Sequence, residues 1–370
     1  MERILRFAKA QPVLVISLIA AVVTMFIVPP DSRYPGYINR TVLIELGALM
    51  AAVAGFRSIG IFDTVTAVIL RRAGSIRRLG AVLVLICFFS AMLVTNDVAL
   101  ITFVPLTLLI YRNISDEKSR IMTIVLETVA ANMGSMLTPV GNPQNLYLCD
   151  EYGLTAGTFV KTMLPAGILG LVCVMLLTLT LPAEPCKAPE SVGGRTSPGK
   201  AAAYGAMFLL CLLTVFRAVP DLVCLAGALA IVLAADWRLL GKIDYALLAT
   251  FVCFFVFVGN IARIDAVSGF FSGILEGREV LIGAGLSQVI SNVPAAVMLS
   301  GFTDNGAMLM LGADIGGLGT VIASLASLIS FQFYRQAEGA RTGRYMLVFS
   351  AVNFGMLALM LGAEFAAGNI

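Results

Sequence analysis

Long apolar stretches separated by short polar connectors run along nearly the whole chain and restrict how it can fold. About 17 to 25 apolar residues are enough to cross a bilayer as a helix. Of the 370 residues, 59% are hydrophobic and 13% are charged, whereas a soluble domain carries about 25% charged residues. We predict an all-α polytopic membrane protein with nine full passes, at residues 12–29, 40–57, 118–148, 160–182, 202–217, 219–235, 245–262, 306–333 and 344–366.

Two further apolar stretches, residues 79–111 and 280–302, are each interrupted midway by a polar motif. The motifs are TND at residues 95–97 and SNV at residues 291–293. A plain spanning helix would avoid such residues, because their polar groups need partners at membrane depth. We therefore predict two re-entrant hairpins.

The positive charges predict the orientation. If the N-terminus is cytoplasmic and the passes alternate, most of the 25 Lys and Arg residues fall on the cytoplasmic side, where positive residues are retained. The C-terminus is then outside. No small-x-small cleavage site follows residues 28–30, so the first helix is predicted to stay uncleaved. We expect a multi-pass protein in the plasma (inner) membrane of a prokaryote.

A linker is predicted to divide the chain into two halves of similar layout. Residues 183–200 are rich in proline and charge, and they separate a first transmembrane repeat, residues 1–182, from a second, residues 201–370. The extra pass at residues 202–217 inverts the second repeat, so the first hairpin enters from the cytoplasmic side and the second from the outer side. Inverted repeats with interrupted helices are typical of secondary transporters whose site lies between the repeats.

The composition excludes most other classes of function. The chain has no histidine, and its seven cysteines show no CxxC spacing, so neither a metal site nor a disulfide is predicted. No nucleophile–base pair and no nucleotide-binding motif is visible. We expect no enzymatic activity, no cofactor and no nucleic-acid partner; the partners expected are a small ion and the lipid bilayer.

Four polar interruptions can carry function: residues 95–97, 138–145, 291–294 and 312–317. Proline and glycine at a helix break free backbone groups that can bind ions, and half-helix N-termini favour anions. The alternative is that the breaks are kinks and packing caps, but four in a repeated arrangement favour a binding site. Candidate sodium ligands are Asn96, Gly141, Asn292 and Gly312.

Five acidic residues lie in or near the apolar spans. Asp97 and Asp314 are within the interruptions and are predicted to bind a proton or sodium, since intramembrane carboxyl groups are costly and usually functional. Glu127 is a third proton-coupling candidate, with a hydrogen bond to a neighbouring helix as its alternative role. Glu45 and Glu364 lie nearer span ends and are expected to reach the interface.

Four segments carry a family resemblance: VTNDVALITFVPLTLLIY, LTPVGNPQNLYL, SNVPAAVMLSGF and GADIGGLGTVIASLASLISFQFYR. They resemble the citrate-transporter-like permeases of the ion transporter superfamily, which include arsenite efflux permeases, sodium/proton antiporters and divalent-anion/sodium symporters. The resemblance covers about residues 45–364. It implies an inverted-repeat scaffold with one hairpin from each side, a homodimer in many members, and elevator-type movement.

In the dicarboxylate members, two Ser-Asn-Thr hairpin tips and two unwound loops bind sodium and the substrate carboxylates. Here Asp97 and Val293 replace the tip threonines, and an ionised Asp97 would repel a dicarboxylate. The resemblance assigns the tips and loops to Thr95, Asn96 and Asp97, to Thr138, Gly141, Asn142, Pro143 and Asn145, to Ser291, Asn292 and Val293, and to Gly312, Ala313, Asp314 and Gly316.

These observations together predict a secondary active transporter that moves a small inorganic or organic ion by alternating access. Asn96, Asn142 and Asn292 would shape the site, and Asp97 and Asp314 would couple it to protons or sodium. Arsenite efflux or sodium/proton antiport is favoured, and a sodium-coupled di- or tricarboxylate or other anion importer is the alternative. A different class, the membrane subunit of a pump, would require a separate ATPase partner.

Overall fold

The computed structural model describes residues 11–60, 74–111, 114, 116–186 and 197–370, which are almost entirely helical. Besides one short 3-10 helix, Trp237–Lys242, the helices that the described residues form are α-helices. In chain order these are α1 Pro12–Ile27, α2 Tyr34–Tyr37, α3 Arg40–Ser58, α4 Ile76–Val94, α5 Asn96–Tyr111, α6 Glu117–Ser135, α7 Pro143–Glu151, α8 Ala156–Thr178, α9 Pro198–Val215, α10 Asp221–Ala235, α11 Tyr245–Ile261, α12 Asp265–Leu275, α13 Glu279–Ile290, α14 Asn292–Ser300, α15 Gly306–Ile315, α16 Leu325–Gln336 and α17 Thr342–Ala366.

Several of these helices can cross a membrane. In the described part of the chain, α3, α4, α8, α9 and α17 are each long and apolar enough to do so. α11 and α12 pass the same test as a pair and are bent by 102° at the break between them. The predicted all-α polytopic membrane fold is confirmed, while the number of nine passes stays a prediction.

The first predicted hairpin, formed by α4 and α5, is present. A Cβ on Gly80, near the start of α4, would lie 3.2 Å from the hydroxyl of Thr123 in α6. Tyr111, at the end of α5, hydrogen-bonds to that same hydroxyl at 2.8 Å. Farther along, Gly134 of α6 packs on the backbone of Phe88 in α4. α4 therefore runs parallel to α6, and α5 returns antiparallel to both.

The second predicted hairpin, formed by α13 and α14, has the same design. Thr303, just after α14, donates to the carboxylate of Glu279 at the start of α13 (2.9 Å), so both ends of the hairpin lie together. Gly312 of α15 packs on the backbone of Glu279, and Gln288 donates to the Gly316 carbonyl at 2.9 Å. α13 therefore runs parallel to α15.

Each hairpin lies against a helix that is broken at its middle. The break between α6 and α7 spans residues 136–142, and that between α15 and α16 spans residues 316–324. Thr128 of α6 hydrogen-bonds to Ser330 of α16 (2.8 Å), and Tyr152 after α7 packs against Gly306 at the start of α15. The two broken helices are thus antiparallel, and the hairpins enter from opposite ends, as expected of an inverted repeat.

The helices form two bundles, each with members from both halves of the chain. The outer bundle contains α3, α9 and α10, which share one apolar cluster, together with α1 packed along α11. The core bundle contains α4 to α8 and α13 to α17. The bundles meet mainly where α7 lies against α3 and α9 and where α14 lies against α11.

The predicted domain boundaries are only partly covered by the described residues. Residues 187–196 of the predicted linker and residues 1–10 at the N-terminus lie outside them. At the beginning of the linker, the carbonyl of Glu184 accepts the backbone N–H of Ile76, which lies at the start of α4 (3.0 Å). The linker therefore leaves the core bundle beside the open end of the first hairpin.

Candidate functional site

The two hairpin tips share an unusual backbone conformation. Thr95 has φ 74 and ψ 149, and Ser291 has φ 76 and ψ 153. Residues other than glycine rarely adopt these backbone angles, and each residue held in such a conformation costs about 1 to 3 kcal/mol of folding free energy. The surrounding contacts must compensate for this cost, and strain of this kind is concentrated at functional sites.

Each tip is bonded to the break beside it. The backbone N–H of Asn96 donates to the Gly141 carbonyl (3.0 Å), and that of Asn292 donates to the Ala323 carbonyl (2.9 Å). Gly141 and Ala323 are therefore equivalent positions in the two repeats. The carbonyl of Gly141 is consequently engaged with the hairpin tip.

The next residue in each break caps the half-helix that follows. The Asn142 side chain accepts the N–H of Asn145 at 2.8 Å, and the Ser324 hydroxyl accepts the N–H of Ala326 at 3.2 Å. Short polar side chains of this kind are preferred at helix N-caps because they satisfy the first free N–H groups. At Asn142 the following Pro143 also favours helix initiation.

Two reciprocal hydrogen bonds join the repeats at the centre of the molecule. Asn132 Oδ1 accepts from the Ser324 hydroxyl (3.0 Å), and Asp314 Oδ1 accepts from Asn142 Nδ2 (2.9 Å). Asn132 and Asp314 stand at matching positions before the two caps, so one repeat carries an amide where the other carries an acid. Gln144 Nε2 gives Asp314 Oδ1 a second donor at 2.8 Å.

Asn132 also holds the first hairpin. It accepts from Asn96 Nδ2 (3.0 Å) and donates to the Gly317 carbonyl (3.2 Å). A Cβ on Gly317 would meet the side chain of Asn292 at 3.1 Å. Both tips and both breaks therefore converge on one buried centre.

Several polar atoms at this centre have no partner. Asp314 is 3% exposed, and within the described residues its Oδ2 and the Oε1 of Gln144 make no hydrogen bond. The Asn145 side chain lies beside the Asp314 carboxylate, but its Nδ2 and Oδ1 atoms form no hydrogen bond of normal geometry. Buried polar atoms left unpaired in this way indicate a site for an ion, water or substrate.

The remaining predicted acids lie in different surroundings. Asp97 is half-buried at the tip of the first hairpin, and no ion pair of its carboxyl is found in the described structure. Its counterpart in the second hairpin is Val293. Glu127 is buried away from the centre and accepts from Thr107 of α5 at 2.6 Å, which is its predicted alternative role.

Two expectations about peripheral acids can be compared with the structure. The sequence predicts that Glu45 reaches the interface, but it is 1% exposed. That prediction is wrong, because α9 and α10 cover the face of α3 on which Glu45 lies. Glu364 is buried as well, at 7% exposed, and accepts from Asn369 Nδ2 at 2.6 Å, so the expectation for this residue is also wrong.

Three of the predicted loop residues are not at an unwound backbone. Gly312, Ala313 and Asp314 belong to the last turns of α15, and the Gly312 carbonyl accepts the N–H of Gly316 just beyond it at 2.8 Å. Gly312 and Gly316 instead allow close approach of α13. Thr138, in the first break, donates its hydroxyl to the Met92 carbonyl of the hairpin.

Sequence reasoning missed Asn132, Gln144 and Ser324. The small residues around Asn132 indicate helix packing, and Gln144 lies inside a recognised motif without a role of its own. Asn132 lies in an apolar helix at the same distance before the cap Asn142 as Asp314 lies before the cap Ser324. This repeated spacing is the sequence signal that could have identified Asn132.

The citrate transporter family model matches residues 4–305. The chain belongs to the citrate transporter family. Among the proteins similar to this chain, an uncharacterized transporter of Methanocaldococcus jannaschii is 33% identical over 308 residues, covering 83% of this chain and 84% of the relative. The inner membrane protein YbiR of Escherichia coli is 32% identical and covers 83% of each chain.

A solved structure shows the same fold. The YdaH transporter of Alcanivorax borkumensis, described as having an unusual topology, superposes with a TM-score of 0.54 at 14% identity, over 91% of this chain and 88% of that chain. Family and fold together identify a membrane-embedded secondary transporter of the citrate transporter family. These findings indicate a transporter rather than an enzyme.

Proposed function

We propose that the chain exchanges protons for a small cation, with sodium as the leading candidate, and that Asp314 is the coupling group. The observation that carries this proposal is the set of buried, unpaired oxygens at the centre: Asp314 Oδ2, Gln144 Oε1 and Asn145 Oδ1. Carboxylate and amide oxygens suit hard cations. A proton on Asp314 and a cation beside it would compete, which is the basis of exchange.

The charge at the centre supports a cation more than an anion. Asp97 and Asp314 are the acids at the two tips and breaks, and the salt bridges of the described residues include neither. A buried carboxylate without a cation is costly, so binding a proton or a metal cation offsets that cost. A bound citrate would add negative charge to the same place.

The half-helix N-termini also offer little to an anion. Asn96 Oδ1 accepts the N–H of Asp97 (2.9 Å), and Asn292 Oδ1 accepts that of Val293 (3.0 Å). The half-helices α7 and α16 are capped by Asn142 and Ser324 in the same way. Every described half-helix that begins at the centre therefore has a side-chain oxygen that accepts an N–H group at its own N-terminus. Anion binding there would have to displace these acceptors.

Arsenite efflux is the second candidate. Arsenous acid is uncharged near neutral pH, and the amides of Gln144 and Asn145 could hydrogen-bond its hydroxyl groups without opposing charge. A putative transporter arsB of Dictyostelium discoideum is 33% identical over 106 residues, which is 27% of this chain. Anion import and a pump with a separate ATPase remain outcomes of the tests below.

Binding of radioactive sodium to the purified protein tests the site. We expect sodium to bind at neutral pH and to be displaced by acid, and Asp314→Asn to weaken binding at least about tenfold. Asparagine keeps the oxygen that Asn142 and Gln144 contact, so the fold should survive. Glu364→Gln, which neutralises a different acid, is the matched control. Wild-type sodium affinity in folded Asp314→Asn would refute the assignment.

A further inference from the structure

Glu45 on α3 is a buried carboxyl that the proposed cation site does not use. Neither of its oxygens has a hydrogen-bond partner among the described residues. Thr41, one turn earlier, donates to Asp221 of α10 at 3.3 Å, and Ala48, one turn later, packs in the cluster shared with α9 and α10. Residues three or four apart share a helix face, so Glu45 points into the junction of these helices.

α7 of the core bundle closes this junction. Cys149 and Asp150, at the end of α7, lie within electrostatic reach of Glu45. Asp150 is tied to the outer bundle, because Asn39 Nδ2 donates to its carboxylate (2.7 Å) and Arg217 Nη2 donates to its backbone carbonyl (2.6 Å). Glu45 therefore lies where the core bundle contacts the outer bundle.

The ionisable groups around Glu45 leave it without a cation of its own. Arg217 is engaged with Asp150, at 3.8 Å from its carboxylate, and Arg40 pairs with Asp221 at 3.1 Å. The groups that face the junction are Cys149, Asp150 and Glu151 from α7, Cys211 from α9, Arg217 after α9, and Asp221 and Cys224 from α10.

We propose that Glu45 is a proton-binding site in the contact between the two bundles, and that it holds its proton while α7 is docked against α3. An ionised carboxylate with no donor in reach is strongly unfavourable in a buried junction. Releasing the proton requires water or a cation, and these enter only when α7 separates from α3. Proton uptake therefore stabilises the docked contact, and proton loss favours separation.

Hydrogen exchange of the α7 backbone amides in lipid nanodiscs tests this site. As the pH is raised from about 6 to about 9, we expect opening of α7 to increase by up to about tenfold per pH unit, the limit for the loss of one proton, after correction for intrinsic exchange. Glu45→Gln, which cannot lose a proton, should show protection that does not depend on pH. Glu45→Met serves as a second neutral variant if the first fails to fold.

Two controls separate Glu45 from its surroundings. The triple variant Cys149→Ser, Cys211→Ser, Cys224→Ser must keep the pH dependence, because thiols also titrate in alkaline solution. Glu364→Gln must behave as the wild type. Wild-type pH dependence in Glu45→Gln, or none in the wild type, would overturn the proposal. Hydrogen exchange is measured without transport, so the proposal for Glu45 is tested independently of sodium binding at Asp314.

Discussion

At the scale of single residues, the two repeats differ at one pair of equivalent positions in the buried centre. Asn132 and Asp314 both reach across to the cap of the opposite repeat, at 3.0 and 2.9 Å. The amide satisfies its partners by donating and accepting, whereas the acid keeps one oxygen unpaired. The asparagine therefore has a mainly structural role, and the acid is available to bind an ion.

Replacing Asn132 should destabilise the protein. Asn132→Ala removes the partner of Asn96, Gly317 and Ser324, and each buried group left unpaired costs about 1 to 3 kcal/mol. We expect a lower thermal unfolding midpoint than for Asn353→Ala, since Asn353 is equally buried but donates only to a carbonyl of its own helix (3.0 Å). Equal midpoints for the two variants would contradict the bridging role.

The acids and asparagines of the site could be read from the sequence because polar residues stand out in apolar spans. Asn96, Asn142, Asn292 and Asp314 all lie at the buried centre. Asn132 could not be separated from its small neighbours, because its partners belong to the distant second repeat and depend on tertiary packing.

At the scale of helices, glycines fix each hairpin against its broken helix. A Cβ on Gly134 would lie 2.1 Å from the Phe88 carbonyl, and one on Gly312 would lie 2.6 Å from the backbone of Val280. Backbone atoms cannot yield as flexible side chains do. The sequence predicts the second break at residues 312–317 because its glycines resemble helix breakers, whereas Gly312 serves close packing inside α15.

Gly134→Ala should separate α4 from α6 and lower stability. Forcing an extra methyl group into a packed contact costs about 1 to 3 kcal/mol. Gly355→Ala is the matched control, because Gly355 is also helical and a Cβ added there would have no neighbouring atom within 4 Å. Thermal unfolding in detergent gives the unfolding midpoints of both variants. A wild-type midpoint for Gly134→Ala would show that the contact of α6 with α4 at Gly134 does not hold the hairpin.

At the scale of the whole molecule, the division into two bundles could not be read from the sequence. Hydropathy predicts spans and repeats, but each bundle combines helices from both halves, and only tertiary contacts reveal that grouping. The orientation of the termini stays a prediction from the positive charges. The elevator movement that the resemblance implies would displace the core bundle against the outer bundle.

Joining the bundles should arrest transport. In a cysteine-free background, Asn39→Cys and Asp150→Cys replace two side chains that are 2.7 Å apart, and a short bifunctional thiol reagent would link them. We expect transport to stop and to return on reduction of a cleavable linker. The same link between positions Glu279 and Thr303, both in the core bundle and with side chains 2.9 Å apart, should leave transport intact. Equal effects of the two links would contradict relative movement of the bundles.

The most direct test of the central claim is proton movement driven by sodium in liposomes that contain only the purified chain. With the membrane potential clamped, adding sodium outside vesicles loaded with a pH dye should raise the internal pH for the wild type and for Glu364→Gln, but not for Asp314→Asn. Unchanged exchange in Asp314→Asn, or sodium-driven citrate uptake without proton exchange, would contradict the account.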